Sequence, residues 1–435
     1  MKYYSTNHIA SDVSLREAVV KGLASDRGLF MPREIRKLPE TFFEEIDRKS
    51  FHEIAVEVAG AFFGDDIDKN SLDAIVKDTL SFPTPVVEVE DGIYSLELFH
   101  GPTLAFKDVG ARFMARLLQY FISSGDDRRM VHVLVATSGD TGSAVANGFL
   151  GVDGIRVHVL YPKGKVSEIQ ECQFTTLGRN ISAIEVDGTF DDCQMLVKSA
   201  FMDEELNQKL LLTSANSINV ARFLPQAFYY FNAYAQLKRR GRAGNVTVCV
   251  PSGNFGNLTA GLIAHRMGLP IRHFIAANNA NDIFYKYLHT GVYAPRPSVS
   301  TIANAMDVGD PSNFARILDL YCEDHGEISG LISGAAYDDE TIADTMKECF
   351  DRTGYILDPH GACAYRALKE QLNEGETGVF LETAHPAKFK DTVSGVIGCD
   401  VAVPDRLAAF MKGEKQTVPM TPDFPSFKAY LEGLS

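Results

Sequence analysis

Between residues 14 and 80 the apolar positions recur mainly at helical spacing, as in Phe51, Ile54, Ala55, Val58, Ala59 and Phe62, which predicts a helical N-terminal subdomain. After Pro83 and Pro85 the pattern changes to short continuous apolar runs separated by amphipathic stretches. Val131 to Ala136, Ile155 to Leu160, Ile181 to Val186, Val246 to Val250, Phe274 to Ala277 and Val379 to Leu381 each predict a buried strand. Ser167 to Leu177, Cys193 to Met202 and Ala221 to Leu237 predict helices between them. Strands this rich in Val and Ile leave no polar face for water, so their alternation with helices implies an α/β fold of parallel sheets covered on both sides. Such sheets bind ligands at the carboxyl ends of their strands, where loops meet helix N-termini. No internal repeat, low-complexity tract or long linker interrupts the pattern.

Length and composition narrow the picture. At 435 residues the chain exceeds what one core holds, so two or more domains are expected. Apolar content of 45% and charged content of 23% are ordinary for a soluble globular protein. With 42 Lys and Arg against 57 Asp and Glu the net charge is −15, which argues against nucleic acid or an anionic membrane as the main partner. The one compact basic cluster, Lys238-Arg239-Arg240-Gly241-Arg242, follows an amphipathic stretch and suits a helix C-terminus. Seven dispersed cysteines without a Cys-x-x-Cys pair support neither a disulfide framework nor a structural zinc site, and no metal site is expected. The N-terminus lacks the apolar core of a signal peptide and no apolar run reaches the length of a membrane span, so the expected location is the cytoplasm.

Candidate chemistry begins at Leu98-Phe99-His100-Gly101-Pro102-Thr103-Leu104-Ala105-Phe106-Lys107-Asp108, where one lysine ends an almost wholly apolar run. A desolvated lysine is pushed toward the neutral amine that condenses with an aldehyde, whereas a snorkelling lysine merely keeps its ammonium wet. On this run alone both remain open. Thr137-Ser138-Gly139-Asp140-Thr141-Gly142-Ser143 follows one predicted strand, and its glycines, hydroxyls and amides suit an anion as well as they suit a helix cap. Pro251-Ser252-Gly253-Asn254-Phe255-Gly256-Asn257 lies between another strand and a helix, where amides converge on the helix N-terminus. Neither loop matches a dinucleotide fingerprint or a P-loop; a phosphate cradle at 251–257 without a P-loop lysine suits a tightly held cofactor, with a plain strand-to-helix turn as the simpler account. Ser214 to Arg222 offers Asn216, Ser217 and Arg222 for a second anion, with a plain N-cap and a surface arginine as the simpler account. Thr383, directly after the Val379 to Leu381 strand, carries a hydroxyl able to bond a ring nitrogen, and His385 is either a titrating group or a satisfied polar residue. Asp358-Pro359-His360-Gly361 predicts a helix start.

A lysine in an apolar run, a phosphate loop and a late hydroxyl together fit pyridoxal 5′-phosphate. On five runs in order, Leu98 to Asp108, Thr137 to Gly142, Asn216 to Asn219, Pro251 to Gly256 and Thr383 to Phe389, the chain resembles the threonine synthases of the bacterial and fungal kind, within the fold-type II pyridoxal-phosphate enzymes. The resemblance implies two parallel or mixed open sheets flanked by helices. It divides the chain into an N-terminal helical subdomain over 1–85, a cofactor and substrate domain over 86–225, and a second α/β domain with the phosphate loop over 226–435. It makes Lys107 the Schiff-base lysine and proton shuttle, Gly253, Asn254, Phe255, Gly256 and Asn257 the cofactor-phosphate loop, and Thr383 the partner of the pyridine nitrogen. It assigns Ser138, Gly139, Asp140, Thr141, Asn216, Ser217 and Arg222 to the substrate O-phospho-L-homoserine, the last three near its phosphate.

The implied reaction removes the γ-phosphate and adds a β-hydroxyl, giving L-threonine and phosphate, in a monomeric lyase of threonine biosynthesis. Two positions depart from the family pattern: Asn257, where some members carry Asp, and Arg27 in the Ala24 to Phe30 run, where relatives have a smaller or uncharged residue. The competing accounts are another fold-type II lyase, such as a serine/threonine dehydratase or a phospholyase, and a non-catalytic phosphate-binding relative.

Overall fold

The computed structural model describes residues 1–124 and 129–434, which pack into two compact units, each assembled from separated stretches of chain. One comprises residue 1 with 31–106 and 223–402; the other comprises 2–30, 107–222 and 403–435. The units interleave in sequence, and each draws on all three of the contiguous segments 1–85, 86–225 and 226–435.

The first unit is built on a six-stranded sheet ordered Ile332–Ala336, Ile271–Asn278, Val246–Pro251, Thr377–Glu382, Ile93–Glu97, Val86–Glu90. Every pairing is parallel except the last. The two central strands, Val246–Pro251 and Thr377–Glu382, are buried at every position, as strands covered on both faces must be. Val248 pairs with Val379 and Cys249 with Phe380, so the loops that begin at Ser252 and Thr383 leave neighbouring strands at the same edge of the sheet.

The second unit carries a five-stranded, wholly parallel sheet ordered Val418–Met420, Ile181–Val186, Ile155–Pro162, Val131–Ala136, Leu211–Ser214. Leu134 pairs with Ser214, which places the starts of the 137–141 and 215–219 loops side by side. All six strands expected from apolar runs are present, most of them longer by a few residues.

The helical expectations hold with two differences. Residues 14–80 contain the helices Leu15–Lys21, Glu40–Glu45, Phe51–Phe63 and Lys69–Thr79, preceded by a strand pair in which Lys2 faces Ser14. Phe51–Phe63 starts with a reciprocal cap between Ser50 and Glu53 and buries the predicted Ile54, Ala55, Val58, Ala59 and Phe62. The stretch from Ala221 to Leu237 is broken: Val220–Phe223 gives way to a 3₁₀ turn over Leu224–Gln226 before Ala227–Arg239 begins. Pro225 cannot donate to the preceding turn, which interrupts the helix there. The basic cluster ending that helix is consumed internally, Lys238 by the Phe43 and Glu44 carbonyls and Asp47, Arg239 by the Asp47 carbonyl and Arg240 by the Val86 carbonyl. Among the described residues no helix is long and apolar enough to cross a membrane.

In the core of the second unit, His132 and His158 stack with ring centroids 5.3 Å apart, and His132 Nδ1 lies 3.0 Å from His158 Nε2. Burial pushes His132 down to about 4 and His158 to about 3, well below their ordinary 6.5. Both rings stay neutral in the folded chain, so on acidification the unfolded chain takes up protons first. Their contribution is therefore complete above about pH 6.5 and is lost as pH falls through the folded values. Urea midpoints measured across that window should decline, and His158→Gln, which cannot titrate, should decline less steeply; an unchanged slope contradicts the assignment.

Candidate active site

In the first unit, the run that precedes Lys107 is pinned to the end of the Thr377–Glu382 strand. Leu98 N donates to the Glu382 carbonyl at 3.0 Å, Phe106 N to the Thr383 carbonyl at 2.9 Å, and His385 N to the Leu104 carbonyl at 3.0 Å, around an antiparallel bridge between Ala105 and Ala384. Buried Lys388 adds a bond from Nζ to the Thr103 carbonyl at 2.9 Å. Thr383 is buried beside this seam. His385 is a satisfied polar residue: its Nδ1 accepts from Ala387 N at 3.1 Å, and burial pushes it down to about 4, leaving it neutral.

The Gly253–Asn257 loop leaves its strand just after Ser252, whose N bonds the Ala277 carbonyl of the neighbouring strand at 2.8 Å. Phe255 sits at φ 60°, held by its ring against Phe284 with centroids 4.5 Å apart. Strain of this kind persists only where packing over-determines it. Gly256 opens the helix Gly256–Arg266, and the bond from Thr259 N to the Phe255 carbonyl at 2.9 Å starts its ladder, leaving the earlier first-turn amides outside it. Asn254 Oδ1 accepts from Ser312 N at 2.6 Å, and its carbonyl accepts from Asn313 Nδ2 at 2.9 Å. Asn257 Oδ1 accepts from the Tyr230 hydroxyl at 2.6 Å, while Asn257 Nδ2 is buried with no hydrogen-bond partner among the described residues. A buried orphan donor next to first-turn amides is matched by an anion with several acceptor oxygens, and the phosphate of pyridoxal phosphate fits it.

In the second unit Lys107, half-buried, is the first residue of the helix Lys107–Ser123. The Thr137 hydroxyl accepts from the amides of Gly139 at 2.9 Å and Gly142 at 2.8 Å, which folds the loop back on its own start. The Asp140 carboxylate takes a bond from Gln170 Nε2 at 2.9 Å, and a Cβ on Gly139 would fall 2.6 Å from that same carboxamide. Ser138 and Thr141 remain half-exposed. The helix starts at Asp140, because the Gly139 carbonyl already accepts from Ser143 N. Asn216 Nδ2 bonds the Ala136 carbonyl at 3.0 Å, so Asn216 and the 137–141 loop form one rim, with Ser217 half-exposed beside it. Arg222 is buried and donates to the Ala215 carbonyl. Burial pushes its guanidinium down to about 10 against the opposing pull of Asp108, which still leaves it cationic at neutral pH.

The structure adds residues that the motifs did not reveal. Glu382, just before Thr383, is fully buried, with Oε1 accepting from Asp358 N at 2.6 Å. A carboxylate at the end of an otherwise apolar strand was the available signal. Asp358 caps the Pro359–Gln371 helix as expected, its side chain accepting from His360 N at 2.7 Å, and His360 reaches on to Ala305. Arg27 lies in an exposed turn at φ 69°, its amide bonded to the Ala24 carbonyl.

Comparison with known proteins agrees along the whole chain. Residues 78–383 match the family model described as pyridoxal-phosphate dependent enzyme, residues 2–80 that of threonine synthase N terminus, and residues 360–431 that of threonine synthase, C-terminal. A threonine synthase of Haemophilus influenzae is 46% identical over 99% of each chain. The crystal structure of threonine synthase from Escherichia coli superposes with a TM-score of 0.94 at 44% identity over 100% of both chains. A pyridoxal-phosphate-bound threonine synthase from Brucella melitensis gives 0.92 at 34% identity, covering 100% of this chain and 99% of that one.

A Cβ at Gly253 would lie 2.7 Å from Met306 Cα and 2.9 Å from the Ala305 carbonyl oxygen, both backbone atoms that cannot swing aside. Gly253→Ala should cost about 1–3 kcal/mol in stability and weaken uptake of pyridoxal phosphate, followed by absorbance titration of the cofactor-free chain. Unchanged affinity contradicts the assignment of this loop.

Proposed function

We infer the roles of these residues from one premise: the chain belongs to the threonine synthase family of pyridoxal-phosphate-dependent enzymes. It is a lyase that takes O-phospho-L-homoserine and water to L-threonine and phosphate. When bound, pyridoxal phosphate supplies the electron sink that stabilises negative charge on substrate carbons.

Lys107 would anchor the cofactor through its aldehyde, and the free amine of Lys107 would serve as general base for the substrate Cα proton. The same amine, at the start of a helix, carries protons between Cα, Cβ and Cγ as phosphate leaves and water adds at Cβ. The amides of Gly253, Asn254, Phe255, Gly256 and Asn257, with Asn257 Nδ2, hold the cofactor phosphate. The Thr383 hydroxyl would bond the pyridine nitrogen, and a neutral hydroxyl, unlike a carboxylate, would not keep that nitrogen protonated, which would temper the electron withdrawal the group supplies. Asn257 serves here as a neutral donor where an Asp would place a second negative charge against a phosphate.

Ser138, Gly139, Asp140 and Thr141 bind the substrate, with Asn216, Ser217 and Arg222 nearest its phosphate. Arg222 provides charge, and the bond from Asn216 to Ala136 keeps this rim in register with the 137–141 loop. What supports the reading most is the seam that ties Ala105 and Phe106, immediately before Lys107, to Thr383 and Ala384. The net charge of −15 and seven free cysteines support a cytoplasmic protein that does not act on nucleic acid, and we read it as a monomer.

Incubation with O-phospho-L-homoserine should release phosphate and L-threonine in equal amounts, and Lys107→Ala should abolish both. Phosphate accompanied by a 2-oxo acid would assign a different lyase, and ordinary turnover by Lys107→Ala would remove the lysine from the mechanism.

A further inference from the structure

A line of buried polar groups in the first unit runs from the residue next to Thr383 to the Gly253–Asn257 loop. Glu382 and Asp358 are both 0% exposed and His360 is 2% exposed. One Glu382 oxygen accepts from Asp358 N at 2.6 Å; the other lies against Gly361, where a Cβ would meet it at 1.6 Å. One Asp358 oxygen accepts both the His360 amide, at 2.7 Å, and His360 Nδ1. His360 Nε2 in turn accepts from Ala305 N at 3.1 Å. An amide only donates, so Nε2 carries no proton and the single ring proton sits on Nδ1, directed at Asp358.

Ala305 and Met306 are the backbone against which Gly253 is packed. The far side of this segment is also fixed. The Asp307 carboxylate accepts from Asn279 Nδ2 at 2.8 Å, Asn281 Nδ2 at 3.2 Å, the Thr301 hydroxyl at 2.7 Å and Thr301 N at 3.0 Å. With only a neutral imidazole between them and the loop, the two buried carboxyls cannot both be ionised. Burial and the Asp358 charge raise Glu382 well above the ordinary carboxylate range, so Glu382 is the neutral acid of the pair.

We propose that Glu382, Asp358 and His360 form a positioning relay that holds Ala305 and Met306 against Gly253, and so sets the cofactor-phosphate loop from the strand that carries Thr383. The proposal rests on the reading of Gly253–Asn257 as the phosphate loop.

The test compares two probes, pyridoxal phosphate and phosphate-free pyridoxal, binding to the cofactor-free full chain. In the unaltered chain the phosphate should confer tighter binding. His360→Phe keeps ring volume but removes both hydrogen bonds, and should lose about five- to tenfold in pyridoxal phosphate affinity with pyridoxal affinity unchanged. A merely structural role would move both affinities together. Glu382→Gln mimics the neutral acid and should stay within about twofold of the unaltered chain.

If the unaltered chain gains nothing from the phosphate, the phosphate-loop reading fails and takes the relay with it. If it gains and His360→Phe keeps the full advantage, the relay alone is overturned. Should that variant not fold, the ¹⁵N resonances of His360 in the unaltered chain decide. A ring that keeps its lone proton on Nδ1 and responds to pyridoxal phosphate but not to pyridoxal supports the relay. A ring found to carry protons on both nitrogens overturns it, because an imidazolium cannot accept from Ala305 N.

Discussion

The antiparallel bridge between Ala105 and Ala384 is the constraint on which the candidate site depends. It is a short piece of pairing, outside any regular strand, yet it seats the backbone that leads into Lys107 beside the backbone of Thr383. A lysine on a free loop would bring its amine to many positions, and general-base chemistry needs one. Here the peptide before the lysine is bonded on both sides of the bridge, through Phe106 to Thr383 and Leu104 to His385, and the residue after it enters a helix. The left-handed conformation of Leu104, at φ 59°, is the local strain that this turn imposes.

Around the Gly253–Asn257 loop, polar groups are buried at a cost that hydrogen bonds offset. Arg316 is fully buried, stacked 4.0 Å from the Phe223 ring and bonded to Asn313 Oδ1 at 2.6 Å; Asn313 in turn holds the Asn254 carbonyl. Each such bond contributes only about 1 kcal/mol net, but leaving its partner unpaired in this interior costs about 1–3 kcal/mol. Buried polar networks therefore specify one arrangement more strongly than they stabilise it. The loop is held from two directions in this way, by Ser312 and Asn313 at Asn254 and by Ala305 and Met306 at Gly253. Among the described residues Asn257 Nδ2 finds no hydrogen-bond partner, and a phosphate would supply one.

Much of this was legible in the chain itself. Continuous Val and Ile runs located the strands, because a strand covered on both faces has no polar position to disguise it. Glycines and hydroxyls placed directly after those runs marked the loops at Ser138 to Thr141 and Gly253 to Asn257, since a strand-to-helix turn that binds an anion needs bare backbone. The five ordered runs then identified the family, and the match along residues 2–431 agrees with it. Helix limits were less legible where one residue overrode the periodicity, as Pro225 did between Ala221 and Leu237.

Sequence by itself thus determined the fold class, the family and the candidate segments for chemistry, because those are local patterns of apolar spacing and small residues. Only the tertiary structure decided that Arg222 is a buried cation, that Asp140 is tied to Gln170, and that Glu382, Asp358 and His360 line up toward Ala305. The reason is physical. A hydrogen bond between residues far apart in the chain leaves no period in the sequence, and the ionisation of a buried acid depends on neighbours that only folding brings within reach.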